Sequence, residues 1–95
     1  MNYQHVSGKD SPHKIILYAL STCVWCKKTK RFLNDLGLAY NFVDYDLLEG
    51  DEKNKIEKEI EKWNPRLSFP VLVVDGEKCI LGYDETKIKE LVNHD

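Results

Sequence analysis

Residues 15–26 read Ile15-Ile16-Leu17-Tyr18-Ala19-Leu20-Ser21-Thr22-Cys23-Val24-Trp25-Cys26, and the architecture hangs on the change of pattern halfway along. The unbroken apolar run to Leu20 suits a strand covered on both faces, bounded by the polar Ser21-Thr22. Ser21 or Thr22 is then placed to cap a helix. Its apolar positions Phe32, Leu33 and Leu36 follow helical spacing, and Gly37 supplies the stop. Cys23 therefore falls at a helix N-terminus, with Cys26 one turn further in.

Beyond this unit, Tyr40 to Asp44 has the aromatic and β-branched composition of a second strand. An acidic loop ends near Gly50. Ile56, Ile60 and Trp63 then recur at i, i+4 and i+7, which predicts a second helix that Pro65 ends. Phe69-Pro70 opens the run Val71-Leu72-Val73-Val74, and Asp75-Gly76 separates it from Lys78-Cys79-Ile80-Leu81, the pattern of a hairpin. Asp84 can cap a last helix with Ile88, Leu91 and Val92 turned inward. The order is βαβαββα. The first two strands, joined through a helix, should be parallel, and the last pair antiparallel. The expectation is an α/β fold, a mixed four-stranded sheet with three helices, over residues 14–95. Residues 1–13, polar and aperiodic with Ser7-Gly8 and Ser11-Pro12 as breakers, read as a flexible N-terminal arm.

Composition limits the functions available to such a domain. The chain has 95 residues, 42% of them apolar, enough for one core. Fourteen basic and 16 acidic residues leave a formal charge of −2, without the positive field that nucleic-acid binding calls for. No segment approaches the roughly 20 apolar residues needed to cross a bilayer, and Met1 to Lys14 lacks the apolar run of a signal peptide. Three cysteines, two of them close together, cannot staple a secreted fold. We therefore expect no nucleic-acid or membrane partner, a monomer, and a reducing, cytoplasmic setting.

A strand followed by CxxC at the start of a helix is the setting of a thioredoxin-like redox motif. Thiol–disulfide exchange needs a thiolate, and a free cysteine with a pKa of about 8.5 is mostly protonated near neutrality. A helix N-terminus offers unpaired N–H groups and about half a positive charge to the first cysteine of the pair. Position thus selects Cys23 as attacking thiol and Cys26 as resolving thiol, which makes turnover intramolecular. Trp25, inside an exposed turn, offers a flat apolar surface to a partner. Lys27, Lys28, Lys30 and Arg31 follow, either as a solvated helix face or as added positive potential. Structural zinc wants four ligands, and the chain offers only Cys79 and scattered His5, His13 and His94 beyond the pair. Cys79 reads as a buried core thiol.

The stretch Tyr18 to Lys27 resembles the active-site segment of glutaredoxins, thioredoxin-superfamily proteins, and of the redoxins that serve ribonucleotide reductase. The resemblance covers about residues 14 to 92. It implies a thioredoxin-like fold and a redoxin that reduces protein or low-molecular-weight disulfides. Ser68-Phe69-Pro70-Val71 resembles the family's Thr-Val-Pro segment. That likeness implies that Pro70 is cis and faces the CxxC, with the Phe69 backbone exposed to a substrate strand. Gly82-Tyr83-Asp84 occupies the place of the Gly-Gly-x-Asp stretch that holds the γ-glutamyl end of glutathione. Asp84 keeps its place there, whereas Tyr83 interrupts the small residues. Leu20 replaces the usual lysine three residues before the first cysteine, and Arg66 is the candidate to compensate. These departures bear on glutathione more than on disulfide chemistry. No glycine motif for a nucleotide or flavin is present. The expectation is thus no tightly bound cofactor and an external electron donor, either glutathione or a disulfide reductase. Its substrates would be disulfide-containing proteins such as ribonucleotide reductase. The resemblance also admits an iron–sulfur module in which Cys23 ligates a cluster.

Overall fold

The computed structural model describes residues 3–8 and 13–92. Ser11-Pro12, the outer parts of the expected arm and His94 lie outside the described residues. The strands are β1 (Gln4–Val6), β2 (Ile15–Ala19), β3 (Tyr40–Asp44), β4 (Val71–Val74) and β5 (Lys78–Leu81). The helices are α1 (Val24–Asp35), α2 (Gly50–Trp63) and α3 (Glu85–Lys89), with a single 3-10 turn at Tyr45–Leu47. The strands form one sheet in the order β1-β3-β2-β4-β5. As expected, β2 runs parallel to β3, while β4 pairs antiparallel with both β2 and β5.

The expected four-stranded sheet has a fifth strand. Gln4, His5 and Val6 pair antiparallel with Phe42, Asn41 and Tyr40, so this part of the arm is sheet edge and not a frayed end. Side chains supply what the sequence pattern lacked. Tyr3 donates its hydroxyl hydrogen to Glu59 Oε2 of α2 at 2.7 Å, and Val6 packs on the core. Gly8 passes so close to the backbone of residues 37–39 that a Cβ there would lie 2.4–2.5 Å from its atoms.

The sheet is covered on both sides. On one face α1 and α3 press Cys26, Leu33 and Ile88 against Ile15, Leu17, Ala19 and Leu72. On the other, Ile56 and Ile60 of α2 meet Tyr18, Val43, Val71 and Val73. β2 and β4 are buried from both faces, which is why their sequences show runs and no alternation. Gly37, at φ +73, ends α1 with a Schellman pair: Leu38 N–H bonds Leu33 C=O and Gly37 N–H bonds Asn34 C=O. Asp75 and Gly76 both take positive φ and turn the hairpin. Asp84 caps α3 through the Lys87 N–H at 3.1 Å. Among the described residues no helix is long and apolar enough to cross a membrane.

Candidate functional site

The central strand β2 delivers the chain to the N-terminus of α1, where the cap differs from expectation. Neither Ser21 nor Thr22 caps the helix; Cys23 does so itself, with its Sγ accepting the Cys26 N–H at 3.1 Å. Ser21 is taken instead by Asp46, which accepts the Ser21 backbone N–H at 2.7 Å and its hydroxyl. These two bonds pull the Asp46 carboxyl below its usual range. The redox candidate thus doubles as the helix cap, and its sulfur sits on a backbone donor that would otherwise lack a partner.

The two thiols stand in different surroundings. Cys23 is half-buried, whereas Cys26 is 0% exposed and belongs to the core beneath α1. Burial pushes the Cys26 thiol up to about 12 and the contact with Cys23 adds to this, while the charge of Lys30 pulls the other way. Cys26 is therefore held as a neutral thiol at physiological pH. Of the basic residues behind the motif, Lys27 and Arg31 are exposed. Lys30 pairs with Asp44 at 3.0 Å and lies 4.1 Å above the Phe42 ring. Lys28 places its Nζ 4.6 Å above the Trp25 ring.

Opposite the motif stands the loop 64–70. The Phe69–Pro70 peptide is cis, as the resemblance implied. Its position is fixed by Asn64, a buried amide that sequence reading passed over. Asn64 Nδ2 donates to the Ser68 carbonyl at 3.0 Å and to Ser68 Oγ at 2.8 Å, and its Oδ1 accepts the Arg66 N–H. The only sequence signal was its place between the end of a helix and Pro65. Tyr45, also passed over, stacks on Phe69 with ring centres 5.8 Å apart and donates to Glu57. Among the described residues the Phe69 backbone makes no hydrogen bond. Arg66 is exposed.

The third wall is the turn after β5. Gly82, at φ +77, donates its N–H to the Pro70 carbonyl at 2.9 Å, and the space where a Cβ would point is open. Tyr83 stacks on Trp25 (5.8 Å, 30°) and meets Phe32 edge-on. Trp25, Phe69, Pro70, Gly82 and Tyr83 together line one cleft of about 260 Å³. Five of the six residues expected to contact substrate thus converge beside the CxxC. The sixth, Asp84, turns its carboxylate to the α3 backbone instead of to the cleft.

Cys79 departs from its expected burial. It is half-buried on the edge strand β5 and faces the α2 side of the sheet, away from the CxxC pair. It lines a larger hollow of about 780 Å³ at the other end of the hairpin, among His13, Asp75, Glu77 and Lys87.

Comparison with known proteins agrees with this geometry. The glutaredoxin family model matches residues 15–79. The crystal structure of the glutaredoxin from Methanosarcina mazei Go1 superposes with a TM-score of 0.87 at 44% identity, covering 99% of this chain and 90% of that one. Methanoredoxin from Methanosarcina acetivorans gives 0.83 at 45% identity, with 88% of each chain covered. A glutaredoxin-like 8.6 kDa protein of the Clostridium pasteurianum rubredoxin operon is 32% identical over 78 residues, 82% of this chain and 96% of that protein. The chain belongs to the glutaredoxin family of thiol–disulfide oxidoreductases.

Proposed function

We propose that the chain is a dithiol redoxin in which Cys23 attacks and Cys26 resolves. The observation that carries this reading is the asymmetry of the pair. Cys23 Sγ sits on the helix cap and accepts an N–H, while the Cys26 thiol lies buried one turn behind it. The Cys23 thiolate attacks one sulfur of a substrate disulfide, forms a mixed disulfide and expels the other sulfur as a thiolate. Cys26 then attacks the Cys23 sulfur, its proton passing to the departing substrate sulfur. The substrate's second sulfur leaves, and the protein holds a Cys23–Cys26 disulfide. Two electrons have passed to the substrate, and an external thiol or a disulfide reductase returns them.

The cleft supports a polypeptide as substrate. Phe69 offers backbone groups that have no partner among the described residues to an extended chain, and Pro70 and Gly82 line the same cleft as Trp25 of the CxxC. A reducing compartment such as the cytoplasm suits a protein that must be kept ready to donate electrons.

The test is turnover of insulin disulfides under an excess of dithiothreitol, comparing wild type with Cys26→Ser. Loss of more than about tenfold is expected once the intramolecular second step is removed. Full activity in Cys26→Ser would refute the dithiol mechanism.

A further inference from the structure

We propose that the stacked Trp25–Tyr83 pair sets disulfide specificity, favouring polypeptides with an aromatic residue beside the cysteine over glutathione. The inference rests on the dithiol reading and concerns what the same cleft accepts. Trp25 stands between the two cysteines in the sequence, is 54% exposed and lines the cleft, so its ring is open to a group that enters beside the motif. Tyr83 is held on three sides: its face by Trp25, an edge contact by Phe32 at 5.9 Å, and its hydroxyl donating to Glu85 Oε1 at 3.1 Å. It stands as a fixed wall where a smaller residue would leave room.

None of the five lining residues carries a charged side chain. Among the charged groups near the cleft, Arg66 on the facing loop is exposed. Asp84 accepts the Lys87 N–H, and Lys28 lies over the Trp25 ring. Glutathione is a tripeptide with a carboxylate at each end, and the lining itself offers neither of them a charged partner. An aromatic side chain next to a substrate cysteine meets rings instead, and gains from stacking.

The experiment is single-turnover oxidation of the reduced protein by symmetrical peptide disulfides. The probes are the disulfides of N-acetyl-phenylalanyl-cysteinamide and N-acetyl-glutamyl-cysteinamide, oxidised glutathione, and hydroxyethyl disulfide. In each case the protein dithiol is oxidised and the probe is released as two thiols. The phenylalanyl probe is expected to react about three- to tenfold faster than the glutamyl probe and than glutathione, the range an aromatic pair carries. The ratio, taken within each protein, should fall toward one in Tyr83→Gly and persist in Tyr83→Phe, which keeps the ring. Equal wild-type rates, or a ratio that Tyr83→Gly leaves unchanged, would overturn the proposal. Failure of every probe, hydroxyethyl disulfide included, would overturn the dithiol reading instead.

Discussion

The two ends of the β4–β5 hairpin make opposite use of similar material. At one end Pro70 and Gly82 are tied by a single backbone bond and wall a cleft of about 260 Å³ beside two thiols. At the other, the Asp75-Gly76 turn overlooks a hollow three times that size, about 780 Å³, lined by a mixed set of charges and by one cysteine residue, Cys79. His13 and Asp75 meet there at 2.7 Å, and Asp75 also accepts the Lys14 N–H at 2.8 Å. Volume does not mark the reactive end. What marks it is a sulfur seated on a helix cap with a second thiol within reach, because disulfide exchange needs an activated nucleophile and a resolving partner more than it needs space.

The comparison breaks most plainly at the cysteines. Cys23→Ser is expected to abolish disulfide reduction, measured with insulin or hydroxyethyl disulfide, since no other thiol occupies a helix cap. Residual wild-type turnover would place the nucleophile elsewhere. A smaller effect is expected at the wall facing the motif. Asn64→Ala leaves the loop around Ser68 without its amide donors and should cost about 1–3 kcal/mol in denaturant unfolding. It should also lower kcat/KM for a protein disulfide several-fold, as the Phe69–Pro70 wall loosens.

A third test sharpens the difference between the paired thiols. Burial holds the Cys26 proton in the folded chain up to about 12, well above a free cysteine. The folded state therefore binds this proton more tightly than the unfolded state. Its contribution to stability is full below the free-cysteine value and is lost as pH climbs toward about 12. The stability gap between wild type and Cys26→Ala should narrow between pH 7 and pH 10.5, read from denaturant midpoints. The smallest effect belongs to the far end of the hairpin. Cys79→Ser should leave disulfide turnover at the wild-type rate, and a large loss there would join the two ends functionally.

Much of this arrangement was legible in the sequence because it rests on local rules. The run Ile15 to Leu20, the CxxC after it and the Asp75-Gly76 turn each state their geometry within a few residues. Pro70 was legible only through a resemblance, since a proline before a strand is ordinarily trans. The fifth strand was not legible: Gln4, His5 and Val6 carry no periodicity, and their pairing depends on Tyr3 reaching Glu59 far along the chain. Tyr45 escaped for the same reason, and Asn64 because its loop geometry, although local, follows no common pattern. Tyr45 meets Phe69 only in the folded chain, whereas Asn64 reaches Ser68 four residues on. The cap was misplaced because Ser21 is the better cap by type, yet Asp46 claims it and leaves the position to Cys23.

The division of labour between Cys23 and Cys26 is tested most directly by trapping. The Cys26→Ser protein, mixed with a disulfide substrate and quenched, should accumulate a mixed disulfide that peptide mass mapping finds on Cys23, with Cys79 free. An adduct on Cys79, or none at all while turnover continues, would contradict the assignment of Cys23 as the attacking thiol.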